Sequence, residues 1–215
     1  SKSRRIATKD RHPRGHISLA SSYVGRTSMS VIGIGDYRDM IERGDYEQEF
    51  RKLVAPHAKF DHTEFLRYLT TVGSQVLWPD HAIAGTAEAE IHGAFARAPW
   101  AWAPEGAFGY VLVKGTDPRE DSYSGFKGNA GTPTELADVL RDRGIQRIFV
   151  CGLALDYCVR YTAEDGRALG FEVVVIEDAT CAVGFPKGSV EATKASFREK
   201  GIRLVQSDQL VARPE

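Results

Sequence analysis

The 215-residue sequence has few cysteines, no long apolar run and almost no net charge. Cys151, Cys158 and Cys181 are too few, and odd in number, for a disulfide framework. No stretch approaches the ~20 apolar residues of a membrane span, and the N-terminal segment lacks the apolar core of a secretory signal. With 28 Lys and Arg against 29 Asp and Glu, no overall field attracts nucleic acid or anionic lipid. These absences predict a cytoplasmic protein whose partner is a small, neutral molecule.

The second half of the sequence alternates apolar runs with amphipathic stretches. Strands are predicted at Gly109 to Gly115, Arg147 to Leu153, Phe171 to Asp178 and Ile202 to Val205. Helices are predicted between them, one opening with a capping box from Thr132 to Glu135. The run 147–153 is apolar without alternation, which is typical of a strand covered on both faces. The pattern predicts an α/β fold with a doubly wound, mostly parallel sheet and helices on both faces.

The first half is less regular. Ile6 to Thr8 predicts a short strand, and the charged segment from Asp36 to Leu53 predicts a helix with a solvated face. No repeat, low-complexity tract or Pro/Gly-rich linker divides the chain. We therefore expect residues 1–215 to form a single domain.

A metal site is one of two interpretations of the histidines that follow the first strand. Asp10 and His12 alternate along an extended segment, so a carboxylate and an imidazole can share one face, and His16 lies four residues further on. Surface histidines in a polar loop are the other interpretation, and the motif taken alone favours it. His81, after a rigid Trp-Pro element, is the candidate partner that would favour a metal. A carboxylate with two or three imidazoles suits Zn²⁺, Fe²⁺ or Mn²⁺.

Cys158 is the candidate nucleophile. It falls in the first turn of a helix predicted to begin near Asp156, where the helix dipole favours a thiolate and N–H groups can receive an oxyanion. The alternative is a small buried filler, and this is the favoured interpretation for Cys151 and Cys181, neither of which lies at a helix N-terminus. Lys114 ends an apolar strand, where its charge would lower the pKa of a neighbouring thiol; a lysine that reaches solvent explains the position equally well.

The sequence resembles nicotinamidase/pyrazinamidase of the isochorismatase-like hydrolase superfamily in four ordered segments: DRHPRGHIS, LWPDHAIAGTAEAEIH, VKGTDPREDSYSGF and CGLALDYCVRYTAEDGRALGFEVVVIEDAT. The resemblance runs from about Arg4 to the C-terminus, apart from an insertion at about 33–69. D-x-H together with W-P-x-H is its most specific part. It implies a three-layer α/β/α fold, an amidohydrolase activity and a place in NAD salvage.

The resemblance also implies a role for each matching residue. Asp10, His12 and His81 would bind one divalent ion, Zn²⁺ before Fe²⁺ or Mn²⁺, with His16 a fourth ligand in some members and a nearby non-ligand in others. Cys158 would attack the carboxamide of nicotinamide or pyrazinamide, forming a thioester that water hydrolyses. The remaining implied roles are Lys114 as the basic companion, Ala154 as an oxyanion N–H donor after a cis Leu153–Ala154 peptide, and Trp78, Tyr123 and Tyr157 beside the pyridine ring.

One element of the family pattern has no counterpart here. The first strand of the family ends in D-x-Q-x-D-F, whose first aspartate shuttles protons, and we expect that βα unit to be missing from the sequence rather than lost from the protein. Asp36 is a faint echo of it and is better interpreted as a loop or capping residue. Two alternatives stay open: a metal-independent hydrolase of another amide or carbamoyl compound, and a non-catalytic ligand-binding relative without the shuttle.

Overall fold

A computed structural model describes residues 5–93 and 109–210, without the side chains of residues 39 and 40. The ends of the predicted resemblance, Arg4 and residues 211–215, lie outside this range. Contacts divide the chain into two units, Ser1–Asp121 and Ser122–Glu215, which are described separately. No helix in the described residues has the length and apolar content needed to cross a bilayer.

The first unit contains two strand pairs. Its described strands are β1 (Ile6–Asp10), β2 (Val31–Gly33), β3 (Ser74–Val76) and β4 (Tyr110–Lys114). β1 and β4 are parallel, with Asp10 opposite Lys114, whereas β2 and β3 are antiparallel. Both strands predicted in this unit are present, and the first extends to Asp10. The carboxyl ends of β1 and β4 therefore lie side by side.

The charged segment predicted as one helix forms two. Between β2 and β3 lie α1 (Arg38–Arg43), α2 (Tyr46–Leu53) and α3 (His62–Val72). Gly44 ends α1 with a φ of 75°, a left-handed conformation that favours glycine and breaks the helix. The Asp36 carboxylate accepts the Gly33 N–H at 2.9 Å before α1. Asp36 is thus a capping residue, as expected.

Aromatic rings form the core of the first unit. Phe65 of α3 is 1 % exposed, and its ring lies 5.3–6.0 Å, centroid to centroid, from those of Tyr23, Tyr37, Phe50 and Phe60. Rings at this separation add to the stabilisation from buried apolar area. Because Tyr23 precedes the predicted insertion and the other rings belong to it, the insertion shares one core with the segment that follows β1.

The second unit is built from alternating strands and helices. A parallel sheet has the order β5 (Arg147–Leu153), β6 (Glu172–Cys181) and β7 (Arg203–Val205). The helices are α4 (Leu136–Asp142), α5 (Arg160–Ala168) and α6 (Ser189–Glu199). The predicted alternation is confirmed, and the strand bounds differ from the predicted ones by at most three residues.

The predicted capping box before α4 is wrong. Pro133 is not the first helical residue but pairs with Lys127 in an isolated β-bridge. The helix begins at Leu136, and the Thr134 hydroxyl oxygen accepts the Leu136 N–H at 3.3 Å. The bridge holds residue 133 in extended chain, so the helix starts three residues later than the Pro signal indicated.

The prediction that β5 is covered on both faces is also wrong for the described residues. Phe149 is 51 % and Leu153 72 % exposed, and Cys151 is exposed too. Cys181 on β6 is likewise exposed, so neither of these cysteines is the buried filler that the sequence favoured. An apolar run shows that a strand is hydrophobic, but it does not show which elements pack on each of its faces.

Candidate active site

An ion pair joins the carboxyl ends of β1 and β4. Lys114 Nζ lies 2.6 Å from Asp10 Oδ1, and the two side chains are 4 % and 23 % exposed. Burial raises the pKa of Asp10, but the charge and hydrogen bond of Lys114, together with the nearby His12 and His81, outweigh it and hold that pKa below its ordinary value. Asp10 therefore presents a carboxylate at this edge of the strand pair.

His12 lies directly past β1 and is held by backbone groups from two other segments. Its main chain donates to the Ala82 carbonyl at 2.9 Å and accepts the Ala84 N–H at 2.8 Å. Its ring Nδ1 lies 2.9 Å from the Gly115 carbonyl oxygen. Because a carbonyl only accepts, Nδ1 carries the proton and Nε2 keeps its lone pair. Burial lowers the pKa of His12, which favours the neutral, ligating form.

His81 is oriented in the same way. Its Nδ1 donates to the Pro79 carbonyl at 2.8 Å, which leaves Nε2 as the acceptor, and its ring centroid lies 4.9 Å from that of His12. One ligand atom from each of Asp10, His12 and His81 lies within 4.8 Å of the other two. We name these three residues the Asp–His–His group. The donor set fits a divalent ion of borderline softness, because imidazole nitrogens with a fixed tautomer join one carboxylate.

His16 belongs to a different arrangement. Its ligand atom lies within 4.8 Å of those of His12 and Asp121, all three residues being buried. The Ser18 N–H donates to Nδ1 at 3.2 Å, so Nε2 carries the proton and donates to the Glu120 carbonyl at 3.1 Å. Burial lowers the pKa of His16 to about 4, despite the nearby Asp121. His16 is thus a neutral imidazole with both nitrogens in hydrogen bonds.

Gly115 belongs to the candidate site, although no sequence motif indicated it. Its φ is 65°, and a Cβ built on it would lie 2.4 Å from His12 Cε1 and 2.7 Å from Nδ1. No side chain fits that space while His12 keeps its position. The signal in the sequence was only a glycine at the end of a predicted strand, and its neighbour His12 is distant along the chain.

We expect Gly115→Ala to weaken the affinity for Zn²⁺ by roughly 10- to 100-fold, because the new methyl group displaces the His12 ring. Competition with a chromogenic chelator measures this affinity. Gly131→Ala is the matched control, since Gly131 also has a positive φ, of 102°, but nothing within 4 Å of its Cβ position. Wild-type affinity in Gly115→Ala would contradict the described packing.

Cys158 lies at the start of a helical segment, as predicted. It belongs to a π-helical turn, Leu155–Val159, that connects β5 to α5. The Val159 N–H donates to the Ala154 carbonyl at 3.1 Å, and the Leu153–Ala154 peptide is cis, as the resemblance implied. The Cys158 side chain is partly buried.

Asp156, two residues before Cys158, was not identified as a functional residue from the sequence. It is 3 % exposed, and its carboxylate accepts from Val183 N at 2.9 Å, Gly184 N at 2.8 Å and Ser189 Oγ at 2.6 Å. Burial would raise its pKa, but these hydrogen bonds to the ionised form hold that pKa below the ordinary value. Asp156 is therefore a buried, ionised anchor.

Two of the three predicted ring-binding residues come together in the second unit. The Tyr123 and Tyr157 rings meet edge to face with centroids 5.2 Å apart. The Tyr157 hydroxyl donates to the Phe185 carbonyl at 2.6 Å, and burial raises the pKa of Tyr157 to about 12, so the hydroxyl keeps its proton at neutral pH. Trp78 lies in the first unit and is partly buried.

Asp156→Asn should lower the free energy of unfolding at pH 7 by roughly 2–3 kcal/mol, because a charged acceptor is lost. Because the pKa of Asp156 is lower in the folded than in the unfolded protein, its carboxylate stabilises the fold at pH values above the unfolded-state pKa. This stabilisation is lost as the pH falls through the folded-state pKa. The difference between wild type and variant should therefore shrink below about pH 4. Urea unfolding between pH 3 and 7 measures it; a difference independent of pH would show that the carboxylate charge is not responsible.

Comparison with known proteins places the chain in a family. Residues 57–209 match the Isochorismatase domain family. Nicotinamidase from Acinetobacter baylyi is 30 % identical over 207 residues, which are 96 % of this chain and 76 % of that protein. The solved nicotinamidase/pyrazinamidase of Acinetobacter baumanii is 31 % identical with a TM-score of 0.70, covering 96 % of this chain and 78 % of that one.

A third similarity is to the pyrazinamidase of Pyrococcus horikoshii solved in complex with zinc, which is 28 % identical. Its TM-score is 0.55, and the match covers 94 % of this chain and 74 % of that one. The chain belongs to the Isochorismatase domain family, and the three similar proteins described above are nicotinamidases or pyrazinamidases. The predicted α/β fold class and the resemblance are confirmed.

Proposed function

We propose that this protein is a metal-dependent amidohydrolase that converts nicotinamide to nicotinate and ammonia and also accepts pyrazinamide. The main support is the Asp–His–His group, in which two backbone carbonyls leave both imidazoles ready to ligate. The similarity to a nicotinamidase over 96 % of this chain supports the substrate class. A cytoplasmic location and a part in NAD salvage belong to the same proposal.

Asp10, His12 and His81 would hold one divalent ion, with Zn²⁺ as the first candidate and Fe²⁺ or Mn²⁺ as the others. When bound, the ion would supply a Lewis acid that orients the pyridine nitrogen of the substrate. The zinc complex of the Pyrococcus relative supports this choice. The hydrogen bonds on both His16 nitrogens support His16 as a neighbour of the ion rather than a ligand.

Cys158 would supply the nucleophile. Its sulfur forms a bond to the carboxamide carbon, the C–N bond breaks as the nitrogen takes the thiol proton and leaves as ammonia, and water then cleaves the thioester to nicotinate and restores the thiol. The N–H groups of Ala154 and Cys158 would receive the developing oxyanion. The position of Cys158 in the first turn of a helical segment supports this role, because that end of a helix stabilises a thiolate.

Lys114 would be the basic companion of Cys158. Its ion pair with Asp10, a member of the Asp–His–His group, supports a role in the same site. Trp78, Tyr123 and Tyr157 would flank the aromatic ring of the substrate, and the contact between the two tyrosine rings supports a preformed aromatic surface.

The family match at residues 57–209 runs through both units, which supports one isochorismatase-like domain over residues 1–215.

Purified protein should release ammonia from nicotinamide, and Cys158→Ala should reduce kcat by ~10³-fold or more because the attacking sulfur is removed. A coupled ammonia assay measures this. Cys151→Ala is the matched control, since Cys151 is an exposed thiol on the preceding strand and should be dispensable. Equal activity in Cys158→Ala would exclude the thioester route, whereas nicotinamide binding without turnover in the wild type would favour a ligand-binding relative.

His12→Ala should remove stoichiometric metal and most of the activity, because one of the three ligands is lost. His57→Ala replaces an exposed histidine outside the Asp–His–His group and should retain both. Elemental analysis of the purified variants, with activity before and after chelation, measures the effect. Full activity of chelated, metal-free wild type would favour the metal-independent amide or carbamoyl hydrolase instead.

A further inference from the structure

We propose that Asp156 is a positioning residue for Cys158, and that it acts by tying the cysteine-bearing turn to the β6–α6 loop. We define this loop as residues 182–188, between the end of β6 and the start of α6. The proposal rests on the proposed function of Cys158 as the nucleophile. It assigns to Asp156 no contact with substrate.

Both oxygens of the Asp156 carboxylate accept hydrogen bonds that link the cysteine-bearing turn to the β6–α6 loop and to α6. Oδ1 accepts the Val183 N–H, and Oδ2 accepts the Gly184 N–H and the Ser189 hydroxyl. All three distances lie between 2.6 and 2.9 Å, and the side chain is 3 % exposed. Hydrogen bonds to a buried, ionised acceptor are roughly twice as strong as those between neutral groups. The turn is therefore fixed at a residue two positions before the sulfur.

The next residue adds a second bond to the same loop. Tyr157 donates its hydroxyl to the Phe185 carbonyl at 2.6 Å. Asp156 and Tyr157 thus bind three consecutive residues of the loop, 183–185, immediately before the chain reaches Cys158. A rotation of the turn that moved the sulfur would have to break several of these bonds together.

The far end of the link is itself anchored. Ser189 is the first residue of α6, and its carbonyl accepts the Thr193 hydroxyl at 2.8 Å, with Thr193 fully buried. The link from Asp156 therefore ends on a helix rather than on a loop alone. A turn with the i to i+5 bond from Val159 to Ala154 is not part of a regular α-helix, so it needs such outside contacts to keep one geometry.

The test compares the reactivity of Cys158 in Asp156→Asn and in wild type. Asparagine keeps the shape but replaces one acceptor oxygen with a donor, which opposes the N–H groups of the loop and the Ser189 hydroxyl. The rate of alkylation by iodoacetamide is measured against pH, with each cysteine resolved by peptide mass spectrometry. The exposed Cys151 and Cys181 act as internal references in the same sample.

We expect the pH midpoint for alkylation of Cys158 to rise and its rate at pH 7 to fall at least fivefold in Asp156→Asn, with Cys151 and Cys181 unchanged. With nicotinamide as substrate, kcat should fall ~10-fold or more while KM changes less than threefold. Asp178→Asn is the matched control, because the Asp178 carboxylate accepts the N–H of Ser207 at 2.8 Å and its hydroxyl at 2.5 Å, so that its hydrogen bonds go to Ser207 and not to the cysteine-bearing turn. That variant should match wild type in both measurements.

A folded Asp156→Asn protein with the wild-type alkylation profile and kcat would overturn the proposal and leave Asp156 a purely structural residue. If that variant does not fold, Ser189→Ala serves instead, because it removes one of the three hydrogen-bond donors to Asp156. It should raise the pH midpoint for alkylation of Cys158 by a smaller amount. A wild-type alkylation profile in Ser189→Ala would also overturn the proposal. Alkylation requires no turnover. A shifted profile in a protein that never hydrolyses nicotinamide would therefore support the positioning role while contradicting the proposed function.

Discussion

The parallel pairing of β1 with β4 is the constraint on which the candidate metal site depends. It ends both strands at one edge and sets Asp10 opposite Lys114, so that a carboxylate and an ammonium meet where neither is well solvated. The residues that follow the two strands are brought together by the same register. His12 and Gly115 become neighbours in this way, although they are 103 positions apart. A change of register by one residue would separate both pairs and turn their side chains to opposite faces.

Main-chain groups orient side chains of the candidate site in both units. In the first unit, the carbonyls of Gly115 and Pro79 accept hydrogen bonds from the Nδ1–H groups of His12 and His81, which decides the tautomer and leaves Nε2 for a ligand. In the second unit, backbone N–H groups surround the Asp156 carboxylate and hold the turn that carries Cys158. Backbone groups of this kind depend on the path of the chain rather than on the residue type that supplies them.

The predicted insertion is part of the scaffold of the first unit. The Tyr23 hydroxyl donates to the Ile17 carbonyl at 2.7 Å, and the Ser22 hydroxyl donates to the His16 carbonyl at 2.7 Å. Tyr23 in turn packs against Phe60 and Phe65, which belong to the insertion. The aromatic core therefore supports the segment that carries His16. This explains why a region outside the resembling segments contributes large buried side chains.

The sequence by itself determined the alternation of strands and helices in the second unit, the place of Cys158 at the start of a helical segment and the D-x-H motif at the end of β1. These features follow from hydrophobic periodicity and local spacing, which act over a few residues. Only the tertiary structure decided the two histidine tautomers, the engagement of both His16 nitrogens, the glycine required at 115 and the bonds of Asp156. It also decided the exposure of Cys151 and Cys181. Each of these depends on a partner tens of residues away or on which element covers a face, and neither the register nor the packing that sets them is encoded in any local pattern.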